Sequence, residues 1–308
     1  MPHMKTQAKV IMDSLVNEVR VTTLEVSFPR FILPEFNTHR VFSRNSASSR
    51  ARSIKRTFKE VMEEPFIPDP FTKNQKGMSG VAVDDSLQEE SKTYWIEARD
   101  QAVLSALDLL VGREKRQELI GDKVYNYEKV IDNYKMAEDS PSIHKQHVNR
   151  ILEPFMYHTT IVSSTEWDNF FELRLAPDAQ PEINLLAHKM KEAMDSSKPV
   201  ERSYHLPYME YDELPEAFDV KRAVASCASV SYKSPSELND SAVERIFKIM
   251  LDSKHMSPFE HQALAPEHLN ELLELMGWQL SQKEGIDFAG NFRGDIVQLR
   301  KIMEVLIK

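Results

Sequence analysis

An alternating strand that breaks at a proline and then delivers a run of polar side chains constrains this chain more than any other stretch. Leu24, Val26 and Phe28 alternate as one face of a strand, Pro29 turns it, and Phe31, Ile32 and Leu33 form a short apolar run that must be buried. Thirteen residues follow at 38–50, holding three arginines, one histidine and four serines with almost nothing apolar to bury. Arginine presents a planar fork of donors matched to phosphate or carboxylate oxygens, and serine adds short-range donors without bulk. If the segment opens a helix, free backbone N–H groups add to its attraction for an anion. A solvated basic loop is the ordinary fate of such a composition. A polar cassette delivered by a buried element is better placed for an anion site.

The whole chain limits what that anion can be. Its 308 residues suffice for a substantial core, and 41% hydrophobic with 28% charged residues is ordinary for a soluble globular protein. A net charge of −9 and a pI near 5.6 argue against a surface that coats a polynucleotide, which carries a basic excess, but leave room for a local pocket that takes a small anion. The single cysteine, Cys227, excludes an internal disulfide and fits a reducing compartment. No apolar run reaches bilayer-spanning length and no secretion-signal pattern opens the chain, so no membrane association and a cytoplasmic location are expected. Only eight glycines occur, and none forms a dinucleotide fingerprint or a phosphate-binding P-loop. Any dinucleotide is therefore held without a Rossmann turn.

Periodicity predicts a weak helix over residues 4–17, the strand and cassette described above, and a long irregular connection over 62–86. A helix is expected from Leu87 to Val111, then a charged surface insertion or helical excursion over 112–142. A helix over 143–152 leads to a strand over 157–163. Thr165 is the expected N-cap of a helix through Arg174, and a further helix runs over 179–194. Residues 199–215 have the composition of a linker. Helices are expected near 217–226, 236–252, 266–280 and 294–307.

Two further constellations carry chemistry. Arg174 lies at a helix end beside Gln180, where an arginine is also favourable for dipole reasons alone. Lys254-His255-Met256-Ser257-Pro258-Phe259-Glu260-His261 presents two histidines, a serine and a carboxylate in one compact turn. Together with His144 and His147 these side chains could ligate zinc, but none forms a spaced pair of metalloprotease or zinc-finger type, and no metal is assigned. Ser257-Pro258 with Glu260 also reads as a helix start with a capping box. The Gly290-Asn291-Phe292-Arg293-Gly294 turn has a functional-looking composition with no assigned role.

With these segments in hand, the chain resembles the flavin-dependent thymidylate synthases, especially the longer phage versions. The family's Arg-His-Arg signature is matched by His39 and Arg40, its following serine by Ser48 and the next arginine by Arg50. Leu173-Arg174 with Gln180, Glu182 and Ile183 is similar to a nucleotide-contacting segment, and Asn149-Arg150-Ile151-Leu152 to the helix before it. The turn at 254–261 is similar to the flavin-contacting turn, and residues 227–232 to the helix that precedes it. The order differs from the family's, because 1–200 resembles its C-terminal part and 216–262 its N-terminal part, with 263–308 as extra helices. That order looks like a circular permutation, and the resemblance implies one catalytic domain spanning 1–308. Thr38 replaces the signature's first arginine, and Ser46 replaces an acidic residue.

The resemblance implies an α+β fold, with an antiparallel or mixed sheet packed by helices. It implies FAD as cofactor, methylenetetrahydrofolate and NADPH as co-substrates, and reductive methylation of dUMP to dTMP. Arg174 is the implied polariser of the pyrimidine and Ser48 its catalytic neighbour. Ser48 lacks a nearby base for a nucleophile role and is assigned to nucleotide binding. Glu35, Ser48, Arg50, Arg150, Arg174 and Gln180 are the implied substrate contacts. His39, Arg40, Asn169, Ser231, His255, Ser257 and Glu260 are the implied flavin contacts. The family also implies a homotetramer, in the host cytoplasm if phage-encoded. Because Thr38 and Ser46 depart from the pattern, a pyrimidine hydroxymethylase or a dCMP-modifying enzyme is the alternative, with a flavin- or nucleotide-binding protein without turnover as a third reading.

Overall fold

The computed structural model describes residues 5–306 apart from 47, 50–51, 77–79, 135–139, 211–213, 231–234 and 282–284. Its strands are β1 (Gln7–Val16), β2 (Val19–Pro29), β3 (Ser43–Ser46), β4 (Tyr157–Ser164), β5 (Val200–Glu201), β6 (Tyr204–His205), β7 (Ala263–Leu264) and β8 (Val297–Gln298). They form a five-stranded sheet of order β3-β4-β2-β1-β5 and a three-stranded sheet of order β6-β7-β8. Among the described residues only the β1–β5 pair is parallel.

β1 corrects the expected helix. Its neighbours Val10 and Ile11 imitate a helical face because the register with β2 shifts between Val10 and Met12, a bulge that interrupts the alternation of a strand. Asn17 and Glu18 close the β1–β2 hairpin with φ of 47° and 62°, the left-handed pair that a tight turn between right-twisting strands demands.

Helices cover the sheets in three groups. The first comprises α1 (Leu33–Asn37), α2 (Ile54–Glu63), α3 (Asp85–Val111), α4 (Arg113–Ile120), α5 (Tyr127–Asn133) and α6 (Lys145–Ile151). Except for α1 these share an apolar core that includes Phe58, Val61, Leu107, Leu110, Val130 and Val148. The charged stretch over 112–142 therefore contains helices that contribute to a core, since Ile120, Tyr127, Val130 and Ile131 are all buried there.

The second group is α7 (Asp168–Arg174) and α8 (Pro181–Asp195), packed with α1 on Leu24, Val26 and Phe28, the alternating face read from the sequence. Trp167 rather than Thr165 occupies the N-cap position of α7. The third group is α9 (Ala217–Ser229), α10 (Asp240–Asp252), α11 (Leu269–Met276) and α12 (Leu299–Leu306), which enclose Tyr204, Phe247, Phe259 and Ile302 with the small sheet. The expected linker over 199–215 carries β5 and β6 and buries Tyr204 and Leu206. Two-residue strands are too short for any periodicity to reveal them.

A buried polar chain joins the two sheets. Ser14 Oγ lies 2.9 Å from His205 Nδ1, whose Nε2 is 2.7 Å from Thr23 Oγ1. Ser163 Oγ then links Thr23 Oγ1, at 2.5 Å, to His261 Nδ1, at 2.9 Å. Burial holds both imidazoles neutral, with pKa values near 3.

Candidate active site

The cassette forms the edge strand β3 rather than a helix start, and it is not purely polar. Phe42 is 1% exposed, and Ser43, Asn45 and Ser49 are buried. Such a segment must find partners for its hydrogen-bonding groups. Gln298 Nε2 donates to Ser43 Oγ at 3.0 Å and to the Glu260 carbonyl at 2.8 Å. Asn45 Nδ2 donates to the Cys227 carbonyl at 2.6 Å, and Ser257 Oγ donates to Asn45 Oδ1 at 3.0 Å. From the other side, Asn149 Nδ2 donates to the Ser49 and Arg52 carbonyls at 2.8 and 3.2 Å. The turn at 254–261, some two hundred residues away in sequence, is thereby brought onto the cassette.

Residues 30–41 make a wall between two clefts. On one side a cleft of about 1070 Å³ is lined by Thr38, His39, Arg40 and Val41, with Trp167, Phe170 and Phe171 among its aromatic side chains. On the other a cleft of about 550 Å³ is lined by Arg30, Phe31, Leu33, Pro34 and Asn37 together with Arg150. Arg174 braces the wall. Its Nε donates to His39 Nε2 at 3.0 Å, and its Nη2 reaches Thr38 Oγ1 at 3.3 Å and the Glu35 carbonyl at 3.5 Å. Asn184 Nδ2 holds the Arg174 carbonyl at 2.8 Å, so the last turn of α7 is tied to α8.

The electrostatics of the wall follow from that packing. Burial first, then the Arg174 and Arg44 guanidiniums, push the His39 pKa down to about 4. At neutral pH its Nε2 is therefore an acceptor, as the bond from Arg174 requires. Arg40 and Arg150 are exposed, and neither side chain has an ion-pair or hydrogen-bond partner among the described residues. Arg30 is engaged by Glu153 at 3.1 Å and by His158 Nδ1 at 2.8 Å.

The other expected site residues divide among several places. Asn169 is exposed and lines the larger cleft with His39 and Arg40. Glu35 has one carboxylate oxygen, Oε2, buried without a donor among the described residues. Ser48 is half-buried just beyond β3. Gln180 occupies the N-cap position of α8, where its carbonyl accepts from Asn184 N at 3.0 Å, and it lines neither cleft.

Ser257 faces Asn45, and Glu260 is buried and ion-paired with Arg300; burial raises the Glu260 pKa while Arg300 opposes the shift. His255 is exposed, with Nδ1 3.4 Å from Met250 Sδ, whereas His261 is buried against Ser163. Ser257–Glu260 is a 3₁₀ turn, and its preceding residue makes no capping hydrogen bond, so the expected capping box is absent there. Arg50 and Ser231 lie outside the described residues.

Thr38 and Ser46 both serve the fold. The Thr38 hydroxyl donates to the Glu35 carbonyl at 2.7 Å, and Ser46 Oγ meets Thr160 Oγ1 at 2.6 Å. Sequence reasoning did not place Glu166, Trp167, Lys191 or Arg293 at the larger cleft. For Arg293 the glycine-flanked turn was the available signal.

The chain matches the model of the thymidylate synthase complementing protein family, Thy1, over residues 12–200. It belongs to that family of flavin-dependent thymidylate synthases and is a methyltransferase by class. Among solved structures it is similar to a UMP/dUMP methylase, PolB, from Streptomyces cacaoi bound with 5-Br UMP. The two share 16% identity at a TM-score of 0.43, over 62% of this chain and 88% of the other. No curated protein matches the chain.

Proposed function

We propose that this protein carries out the reductive methylation of dUMP to dTMP, with FAD as cofactor and methylenetetrahydrofolate and NADPH as co-substrates. The observation that carries the reading is the shared wall. One segment lines both clefts, Arg174 braces it, and each cleft holds a guanidinium with no partner among the described residues. Such a partition suits two ligands brought close together, each with an anionic portion.

The larger cleft fits a flavin dinucleotide in size and chemistry, with an aromatic lining, a neutral imidazole at His39 and the free Arg40. When bound, the flavin would relay the one-carbon unit and supply the hydride. Arg40, His39 and Asn169 would hold it; the family resemblance alone supports Ser231, His255, Ser257 and Glu260 as further flavin contacts, from the segment we read as permuted. In the smaller cleft Arg150 would bind the nucleotide phosphate; the family resemblance alone supports Ser48, Arg50, Glu35 and Gln180 as further nucleotide contacts. Arg174 would draw charge toward the pyrimidine carbonyl as C5 becomes nucleophilic. The family resemblance supports a homotetramer that completes these sites across subunits.

A second reading rests on Thr38 and Ser46, whose hydroxyls are engaged within the fold where the family presents charges. It keeps the flavin and folate but makes a hydroxymethylated base or acts on dCMP. Mass spectrometry of products from dUMP, methylenetetrahydrofolate and NADPH tests both. A dTMP mass is the expected outcome. A hydroxymethyl product, or turnover of dCMP alone, would establish the second reading, and inertness with both nucleotides would refute the pair.

A further inference from the structure

The turn at 290–294 lies outside the matched residues 12–200, yet it reaches the larger cleft, where Arg293 and Gly294 stand with His39, Arg40 and Lys191. Its backbone is fixed from several sides. Phe292 is buried among Val16, Val21, Ala263 and Ile296. Arg293 N donates to Thr165 Oγ1 at 2.8 Å. Gly294, at φ 97°, approaches the β1–β2 hairpin so closely that a Cβ would lie 2.5 Å from Val19 Cγ2. Asn17 Nδ2 then holds the Asp295 carbonyl at 2.9 Å.

A rigid turn thus presents a largely exposed side chain. Arg293 is 69% exposed, and its Nε meets Glu166 Oε2, itself 48% exposed, at 3.1 Å. The terminal nitrogens have no partner among the described residues. An exposed pair of this kind contributes little and is readily exchanged for a better anion. A phosphate, which accepts two parallel N–H bonds, is such an anion. Of the other cations lining the cleft, Arg20 is committed to the buried Asp13, Lys191 is held in an exposed pair with Asp195 one helical turn along α8, and Arg40 has no partner among the described residues.

We propose that Arg293 is an additional anion-binding residue of the larger cleft, supplied by a turn outside the family match, which with Arg40 holds the diphosphate of a dinucleotide. The inference rests on the flavin reading of that cleft. It is tested on the full chain by titrating FAD and riboflavin, which share the ring system and differ in the diphosphate. Arg293→Ala weakens FAD about tenfold, leaves riboflavin binding and the melting temperature unchanged, and Arg293→Lys restores part of the loss. Glu166→Gln, which removes the competing carboxylate, tightens FAD.

Equal FAD affinity in wild type and Arg293→Ala would overturn the inference while sparing the flavin reading. So would an equal loss for riboflavin, or a loss on Glu166→Gln like that on Arg293→Ala, because either marks a purely structural tie. A wild-type protein that binds neither flavin would overturn the flavin reading and this inference together.

Discussion

The smaller cleft is lined by residues 30–37 and 150–154, whereas the larger draws on five stretches, 18–20, 38–41, 165–173, 191–195 and 293–294. The smaller forms where residues 30–37 pack on the turn after α6, with Arg30 N donating to the Met156 carbonyl at 2.8 Å and Arg30 paired with Glu153. Its lining sets the apolar Phe31, Leu33, Pro34 and Pro154 beside the Arg30–Glu153 pair, Asn37 and Arg150, whose guanidinium has no partner among the described residues. The larger is assembled only when the hairpin, α7, α8 and the 290–294 turn have all met, and it mixes aromatic faces with charges of both signs. A cleft made of few segments is a rigid mould. One made of many can be altered at one edge while the rest stays in place.

The strongest test of that division is Arg174→Ala, which removes the brace common to both clefts. We expect kcat/KM to fall by about 10² to 10³, and a loss below tenfold in steady-state assays would mean that the wall stands without it. Arg150→Ala comes next. The KM for dUMP should rise roughly ten- to a hundredfold while bound flavin, read by absorbance, is unchanged; a fall in flavin content instead would reverse the assignment of the clefts.

Arg40→Ala is the mirror image, with FAD affinity down roughly tenfold and dUMP binding by calorimetry intact. The smallest effect concerns pH. Burial holds His39 near a pKa of 4 and His158, His205 and His261 near 3, all below the ordinary imidazole value of 6.5. As pH falls below about 6.5, the unfolded chain binds protons that the folded chain refuses, so stability is complete above that pH and is lost toward 4. Thermal melts should fall between pH 7 and 5, and His39→Gln should lessen the slope by one proton. An unchanged slope would show that His39 is solvated and that the wall is open.

Much of this arrangement was legible where local pattern and tertiary packing agree. Leu24, Val26 and Phe28 alternate and do face one core, and α3, α6, β4 and α8 fall close to their expected ranges. Composition alone marked the cassette, but it concealed Phe42, which packs against Trp167 and Phe170 at centroid distances of 4.7 and 5.2 Å. β1 was misread because its bulge disrupts alternation, and pairing with β2 outweighs local preference. The two clefts were not legible as clefts. Arg293 and Glu166 are 127 positions apart, and no periodicity encodes a meeting at that distance.

The clamp on β3 also has a consequence in time. Its ties to Cys227, Ser257 and Gln298 span 182, 212 and 255 positions. At translation speeds of about 5–20 residues per second, the cassette waits roughly ten to fifty seconds for its last partner to be synthesised. Until then Ser43 and Asn45 lie on an uncovered sheet edge, the part of a nascent chain most prone to stray pairing. The clamped strand β3 is thus the portion of this enzyme that a chaperone would most need to shield, and it matures only once Gln298 has been made.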